Sequence, residues 1–142
     1  MGKRILVICT GNSCRSQMAE GFLKSFDPTL EVFSAGTFPA SKVNIHAIAV
    51  MKELGIDISH HKPEKVDKYI DEEWDYVITV CGGARDACPY FNGKVKERLH
   101  IGFDDPADAV GNEEEVLAEY RRVRDEIREQ FLALYHKINN SK

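Results

Sequence analysis

Apolar and polar positions along this chain follow two alternating periods. Ile5-Leu6-Val7-Ile8 is an unbroken apolar run, the pattern of a strand buried on both faces. Met18, Ala19, Phe22, Leu23 and Phe26 then recur at helical spacing, which predicts a helix from near Ser16 that Asp27-Pro28 stops. Leu30-Glu31-Val32-Phe33-Ser34-Ala35 predicts a second strand closed by Gly36, and residues 37–43, with Pro39, predict a loop. Asn44 suits the cap of a second helix carrying Ile45, Ile48, Met51 and Leu54 and ended by Gly55. After Ser59-His60-His61-Lys62-Pro63, residues 64–70 predict a short helix. Residues 74–80 predict a third strand, whose Tyr76-Val77-Ile78-Thr79-Val80 belongs in a sheet interior, and Leu99-His100-Ile101-Gly102 a shorter fourth. The last helix is the clearest: Val116, Tyr120, Val123, Ile127, Phe131, Leu134 and Ile138 lie three or four residues apart, behind a capping box of Asn112 and Glu115. Its charged residues, Arg121, Arg122, Arg124, Asp125, Glu126, Arg128 and Glu129, are expected to form a solvated face.

Strands alternating with helices imply an α/β fold with a parallel sheet wound on both faces, and such sheets bind ligands beyond the carboxyl ends of their strands. Cys9, Cys81 and Asp105 all fall at or just past expected strand ends. At 142 residues and 43% hydrophobic content, the chain is expected to form one domain over 1–142 that needs no metal or cross-link to fold. A net charge of −4 without a basic stripe argues against a nucleic-acid surface. No stretch approaches the roughly 18 apolar residues of a membrane span. Met1-Gly2-Lys3-Arg4 leads directly into a strand, which leaves no room for a signal peptide, so a cytosolic (cytoplasmic) protein is expected, and separately a monomer. In that compartment four cysteines point to catalysis or redox chemistry rather than to structural disulfides.

The chemistry begins at Cys9-Thr10-Gly11-Asn12-Ser13-Cys14-Arg15-Ser16, a Cys-X5-Arg loop between a strand and a helix. Backbone N–H groups of Thr10, Gly11, Asn12, Ser13, Cys14 and Arg15 can converge on a tetrahedral oxyanion there. The helix N-terminus adds partial positive charge, and the Arg15 fork can close over two oxygens. The same field is expected to depress the pKa of Cys9 and make it a nucleophile. The structural alternative is a buried cysteine ending a strand at an ordinary turn; the small residues, Arg15 and Ser16 favour the cradle. Cys14 reads as a filler facing away from the anion.

Cys81 and Cys88 lie seven residues apart. If a helix joins them, their Cα atoms are roughly 10 Å apart, beyond the reach of a disulfide at roughly 7 Å. Gly82-Gly83 and Cys88-Pro89 make that segment easy to unwind. A disulfide formed in only one redox state and two unrelated thiols both remain open on spacing alone. Asp105, before Pro106, could act as general acid toward a group bound over Cys9, with Asp104 as the competing carboxylate. His60-His61 lacks zinc-type ligand spacing.

Cys9-Thr10-Gly11-Asn12-Ser13-Cys14-Arg15-Ser16-Gln17-Met18-Ala19-Glu20 resembles the phosphate-binding loop of low-molecular-weight protein tyrosine phosphatases. Together with Ser34-Ala35-Gly36, Cys81, Cys88, Gly102-Phe103-Asp104-Asp105-Pro106-Ala107 and Arg122-Val123-Arg124-Asp125-Glu126-Ile127, it makes the whole chain resemble the arsenate reductases built on that fold and coupled to thioredoxin. The resemblance implies a three-layer α/β/α, low-molecular-weight phosphatase-like fold with a four-stranded parallel sheet. It implies reduction of arsenate to arsenite, in arsenic detoxification, with Cys9 as nucleophile, Arg15 and Ser16 supporting the loop and thiolate, and Asp105 as acid. Cys81 and then Cys88 would be relay thiols, and reduced thioredoxin the electron donor, with no tightly bound cofactor. Some relatives hold a potassium ion through residues matching Asn12, Glu20 and Ser34; at the further ligand, usually Asp, this chain offers Glu64. A phosphatase would use Cys9, Arg15 and Asp105 but not Cys81 or Cys88, and such relatives generally carry Tyr after Asp-Pro, where Ala107 stands here. A slow phosphatase side activity is compatible with the reductase reading. An oxyanion binder or thiol redox sensor is the third class, and it leaves Asp105 unexplained.

Overall fold

Ile5, Leu6, Val7 and Ile8 lie wholly buried in β1 (Arg4–Cys9), the strand on which the computed structural model is centred. It describes residues 2–140. Met1, at the head of the expected amino-terminal run, and Ser141 and Lys142, which close the expected 1–142 domain, lie outside the described residues. β1 is flanked by β2 (Glu31–Gly36) and β3 (Trp74–Thr79), and β4 (Val95–His100) pairs with β3, so the order is β2-β1-β3-β4. All pairings are parallel, with Cys9 opposite Gly36, Ile8 opposite Thr79 and Thr79 opposite His100. This register gathers the carboxyl ends of all four strands along one edge.

β4 starts four residues before the strand expected from Leu99, and Ile101 and Gly102 fall beyond it. It is an edge strand whose Lys96, Glu97 and Arg98 are exposed, so its backbone pairs with Trp74–Thr79 without an apolar pattern to announce it.

Helices cover both faces, giving three layers. α1 (Arg15–Phe26) lies against β1, β2 and α4 (Glu113–Asn140), buries Met18, Ala19, Phe22 and Leu23, and ends where the Asp27 N–H bonds the Leu23 carbonyl. α2 (Ile45–Lys52) is capped by Asn44, whose Oδ1 accepts from the N–H groups of His46 and Ala47. Its core face is Ala47, Val50 and Met51, whereas Ile45 and Leu54, expected inside, are 65% and 43% exposed. Ile45 is the first helical residue, and Leu54 follows the last turn, before Gly55 enters the left-handed region at φ 78°.

Instead of a helix over 64–70 there is one 3-10 turn, Val66–Lys68. The chain before it is tied to the end of β2: Gly36 N–H donates to the Glu64 carbonyl at 2.8 Å, and Lys65 bridges to Gly36 in extended geometry. α3 (Gly82–Ala87) is short and packs on β1 and β3. α4 opens on the expected box, with Asn112 Oδ1 accepting from Glu115 N–H and Glu115 Oε1 from Asn112 N–H, and it buries its apolar stripe. Arg124 departs from the expected solvated face. It is buried, and its guanidinium bonds the Val50 carbonyl at the end of α2, with Glu53 beside it. A long side chain at the helix contact can be buried because every group it meets is an acceptor.

Candidate active site

The loop after β1 turns its carbonyls outward. Those of Cys9, Thr10, Gly11 and Ser13 accept from the N–H groups of Thr37, Phe38, Ala40 and Asn44, and that of Asn12 from Gln17 Nε2. In trans peptides each N–H points opposite to its carbonyl, so this outer belt of bonds faces the loop amides inward. The loop can lie this close to β2 because of Gly36, where a Cβ would stand 2.5 Å from the Thr10 carbonyl oxygen.

Asn12 is the keystone beneath. It is wholly buried in the left-handed region at φ 50°, which Asn tolerates better than most residues. Its Nδ2 donates to Ser16 Oγ (2.7 Å) and Ser34 Oγ (2.9 Å), and its Oδ1 accepts from Glu64 N–H (2.9 Å). Ser16 Oγ, which accepts from Asn12, is also hydrogen-bonded to the Cys9 sulfur, 2.8 Å away, and its hydroxyl can donate to the thiolate. Asn12 N–H also reaches that sulfur, at 3.1 Å.

Burial pushes the Cys9 thiol above its ordinary value, against the lowering effect of Ser16 and of the Ser16 and Asn12 backbone groups. This reverses the expected depression: desolvation of the buried sulfur outweighs its hydrogen bonds. Cys14 is buried among core residues, and burial raises its thiol as well, reinforced by Asp105 and Cys9 and opposed by Arg15.

Arg15, the first residue of α1, sends its fork toward the segment after β4, donating to the Phe103 carbonyl at 3.0 Å and lying 3.4 Å from an Asp105 oxygen. Asp105 also accepts from Ala107 N–H, which closes the 3-10 turn Pro106–Asp108. Asp104, the competing carboxylate, pairs instead with Arg122 of α4 at 3.2 Å and is exposed. The structure therefore brings Cys9, Arg15, Ser16 and Asp105 to one place and leaves Asp104 outside it.

Cys81 caps α3: its sulfur accepts from Ala84 N–H at 3.4 Å and lies 3.4 Å from Thr10 Oγ1. Cys88 ends the same helix and is half-buried. Burial raises its thiol, while nearby Arg98 lowers it. All four cysteines are free.

A family model described as low molecular weight phosphotyrosine protein phosphatase matches residues 4–142. The chain belongs to that family. It is 50% identical over 129 residues to an arsenate reductase of Halalkalibacterium halodurans, covering 89% of this chain and 91% of that one. Among solved structures it resembles an arsenate reductase in the phosphate binding state, with a TM-score of 0.81, 33% identity, and coverage of 96% of this chain and 98% of that one. It also resembles a thioredoxin-dependent arsenate reductase of Corynebacterium glutamicum, with a TM-score of 0.72, 27% identity, and coverage of 99% and 64%.

The residues matched to the family's potassium site do not fit an ion in this arrangement. Asn12, Ser34 and Glu20 form a chain, with Ser34 Oγ donating to Glu20 Oε1 at 2.6 Å. The other Glu20 oxygen is paired with the Lys24 ammonium, 2.5 Å away. Glu64 offers its backbone N–H to this cluster and turns its carboxylate to Lys68. His61, from the His60-His61 pair, bonds Gln17 and so braces the loop from below.

Among the contacts not read from the sequence are the Thr10 hydroxyl against Cys81, and Gln17 against the Asn12 carbonyl. Both residues lie inside or beside the loop motif, but nothing in the motif shows which way a side chain turns.

Proposed function

We propose that this chain reduces arsenate to arsenite in a detoxifying reaction, with Cys9 as nucleophile and Cys81 and Cys88 as a relay that thioredoxin resets. The observation that carries this reading is the seating of the Cys81 thiol against loop residue Thr10, since hydrolysis of a phosphoester would need no second thiol there. The 50% identical relative named as an arsenate reductase supports the substrate, and the neighbour named as thioredoxin-dependent supports the reductant.

Arsenate enters the amide cradle and its charge draws the Arg15 fork over it; the Cys9 proton passes to the arsenate dianion, and the thiolate left behind is held by Ser16 and the Asn12 N–H. The thiolate attacks arsenic as Asp105 protonates the departing oxygen, which leaves as water. Cys81 then attacks the Cys9 sulfur. A sulfur–sulfur bond forms, the sulfur–arsenic bond breaks, and its electron pair stays on arsenic, which departs as arsenite. Attack of Cys88 on Cys81 frees Cys9 and moves the oxidation to a Cys81–Cys88 disulfide. That last step requires α3 to unwind, because its ends lie roughly 10 Å apart as a helix. Two electrons from a thioredoxin dithiol complete the cycle. The relay suits a cytosolic setting that keeps thiols reduced, and no helix among the described residues is long and apolar enough to cross a membrane.

The test is arsenate-dependent NADPH consumption with thioredoxin and its reductase, run beside hydrolysis of an aryl phosphate. Sustained consumption, with slow hydrolysis at most, supports the reductase. Fast hydrolysis without arsenate-dependent consumption overturns it in favour of a phosphatase.

A further inference from the structure

Beside α3, over β3 and β4, lies a groove of about 620 Å³ whose lining includes Cys88, Tyr90, Arg85, Arg98, Thr79 and His100. Cys9, Cys14 and Cys81 are buried, so Cys88 is the most accessible of the four thiols. The groove is charged asymmetrically. Arg85 is paired with Asp86 at 3.4 Å, and His100 Nδ1 is bonded to Thr79 Oγ1 at 2.7 Å. Arg98 has no ion pair among the described residues; its guanidinium lies over the Phe91 ring, 5.5 Å from the centroid, in a chain whose net charge is −4. A thiol on the wall, one uncompensated cation and a volume in the small-molecule range of roughly 300–1,000 Å³ describe a site for a small anion that carries sulfur.

We propose that Cys88 is a mixed-disulfide site whose groove seats a carboxylate-bearing low-molecular-weight thiol, with Arg98 as the anchor for its carboxylate. The oxidant is the symmetrical disulfide of that thiol. The Cys88 thiolate attacks one of its sulfurs, a bond from Cys88 to that sulfur forms, and the original sulfur–sulfur bond breaks. The other half leaves with the electron pair as a thiolate and takes a proton from solvent. Cys88 is oxidised, the released thiol is reduced, and a second equivalent of thiol reverses the exchange. The adduct withholds Cys88 from Cys81, so it would pause the proposed relay, although the site itself stands whether or not that relay operates.

Charge selectivity decides the matter. The reduced full-length protein is exposed at low salt to oxidised glutathione, which is anionic, or to cystamine, which is cationic. Samples are quenched with iodoacetamide, and loss of alkylatable Cys88 is followed by peptide mass mapping. Rates are divided by those of a free cysteine peptide under the same conditions. The expected normalised preference for oxidised glutathione is about tenfold, the lower end of electrostatic focusing in a charged cleft. It should shrink as salt is raised, survive in Arg98→Lys and vanish in Arg98→Gln. Equal normalised rates for the two disulfides, or a preference that persists in Arg98→Gln or is indifferent to salt, would overturn the proposal. Modification of the other cysteines with Cys88 spared would do the same.

Discussion

The hydroxyl of Thr10 lies 3.4 Å from the sulfur of Cys81, joining the oxyanion loop to the first residue of the α3 cap. The approach is so close that a Cβ on Gly83 would sit 2.9 Å from the same hydroxyl. Thr10→Val keeps the shape of the side chain and removes this bond. A hydrogen bond to a charged group contributes roughly 1.5–3 kcal/mol, so disulfide formation by Cys81 should slow by about ten- to hundredfold. Aryl phosphate hydrolysis should change little. Rapid-quench mapping of the Cys9–Cys81 disulfide after arsenate addition checks both; an unchanged rate would mean that the hydroxyl does not assist Cys81.

Cys88→Ser should permit about one turnover, one arsenite per chain, and then stall with Cys9 joined to Cys81. Any hydrolysis of an aryl phosphate by the reduced enzyme should stay near the wild-type rate. Full multiple turnover with thioredoxin as sole reductant would refute the relay.

Asn12→Ala removes both side-chain donors and the acceptor of a wholly buried group and places alanine at a φ of 50°. The unpaired Glu64 N–H, the bonds lost to Ser16 and Ser34 Oγ and the strained backbone should together cost about 2–4 kcal/mol. Urea denaturation measures the loss. A variant of wild-type stability would show that the network beneath the loop is dispensable for folding.

Folding raises the thiols of Cys9 and Cys14, in both cases chiefly by burial. A thiol raised in this way keeps its proton in the native chain where the unfolded chain has lost it. Its contribution to stability is therefore intact below the ordinary thiol value and declines as pH rises toward the native one. Thermal stability of the anion-free protein should fall from about pH 8.5 upward, and Cys14→Ala should make that fall shallower, whatever it does to the stability at neutral pH. A slope equal to that of the wild type would contradict the assignment to Cys14.

Legibility in the sequence followed burial. α4 could be read almost residue by residue because one apolar stripe faces the core along its whole length and Asn112 and Glu115 mark its start. β4 could not, since an edge strand exposes Lys96, Glu97 and Arg98, and its backbone bonds leave no mark on composition. Arg124 was misplaced for a related reason: its burial depends on the Val50 carbonyl, more than seventy residues away in the chain. In the site, residue types and spacing led to Cys9, Arg15, Ser16 and Asp105, because each has a distinctive chemistry in a loop at the strand ends or at the helix start that follows. The direction of the Cys9 pKa did not follow from the motif, since it is decided by how much water the surrounding fold removes.

Arg15 is held from within the chain, by the Asp105 carboxylate at 3.4 Å and the Phe103 carbonyl at 3.0 Å. An entering anion must therefore win the guanidinium from a rival acceptor that belongs to the same molecule. Singly charged, weakly accepting ions gain little by that exchange, whereas a doubly charged tetrahedral ion gains two parallel bonds. Under the proposed reduction this ties two roles together: the fork that turns to arsenate is the one that leaves Asp105, so the acid loses its cationic neighbour as the leaving oxygen comes within its reach.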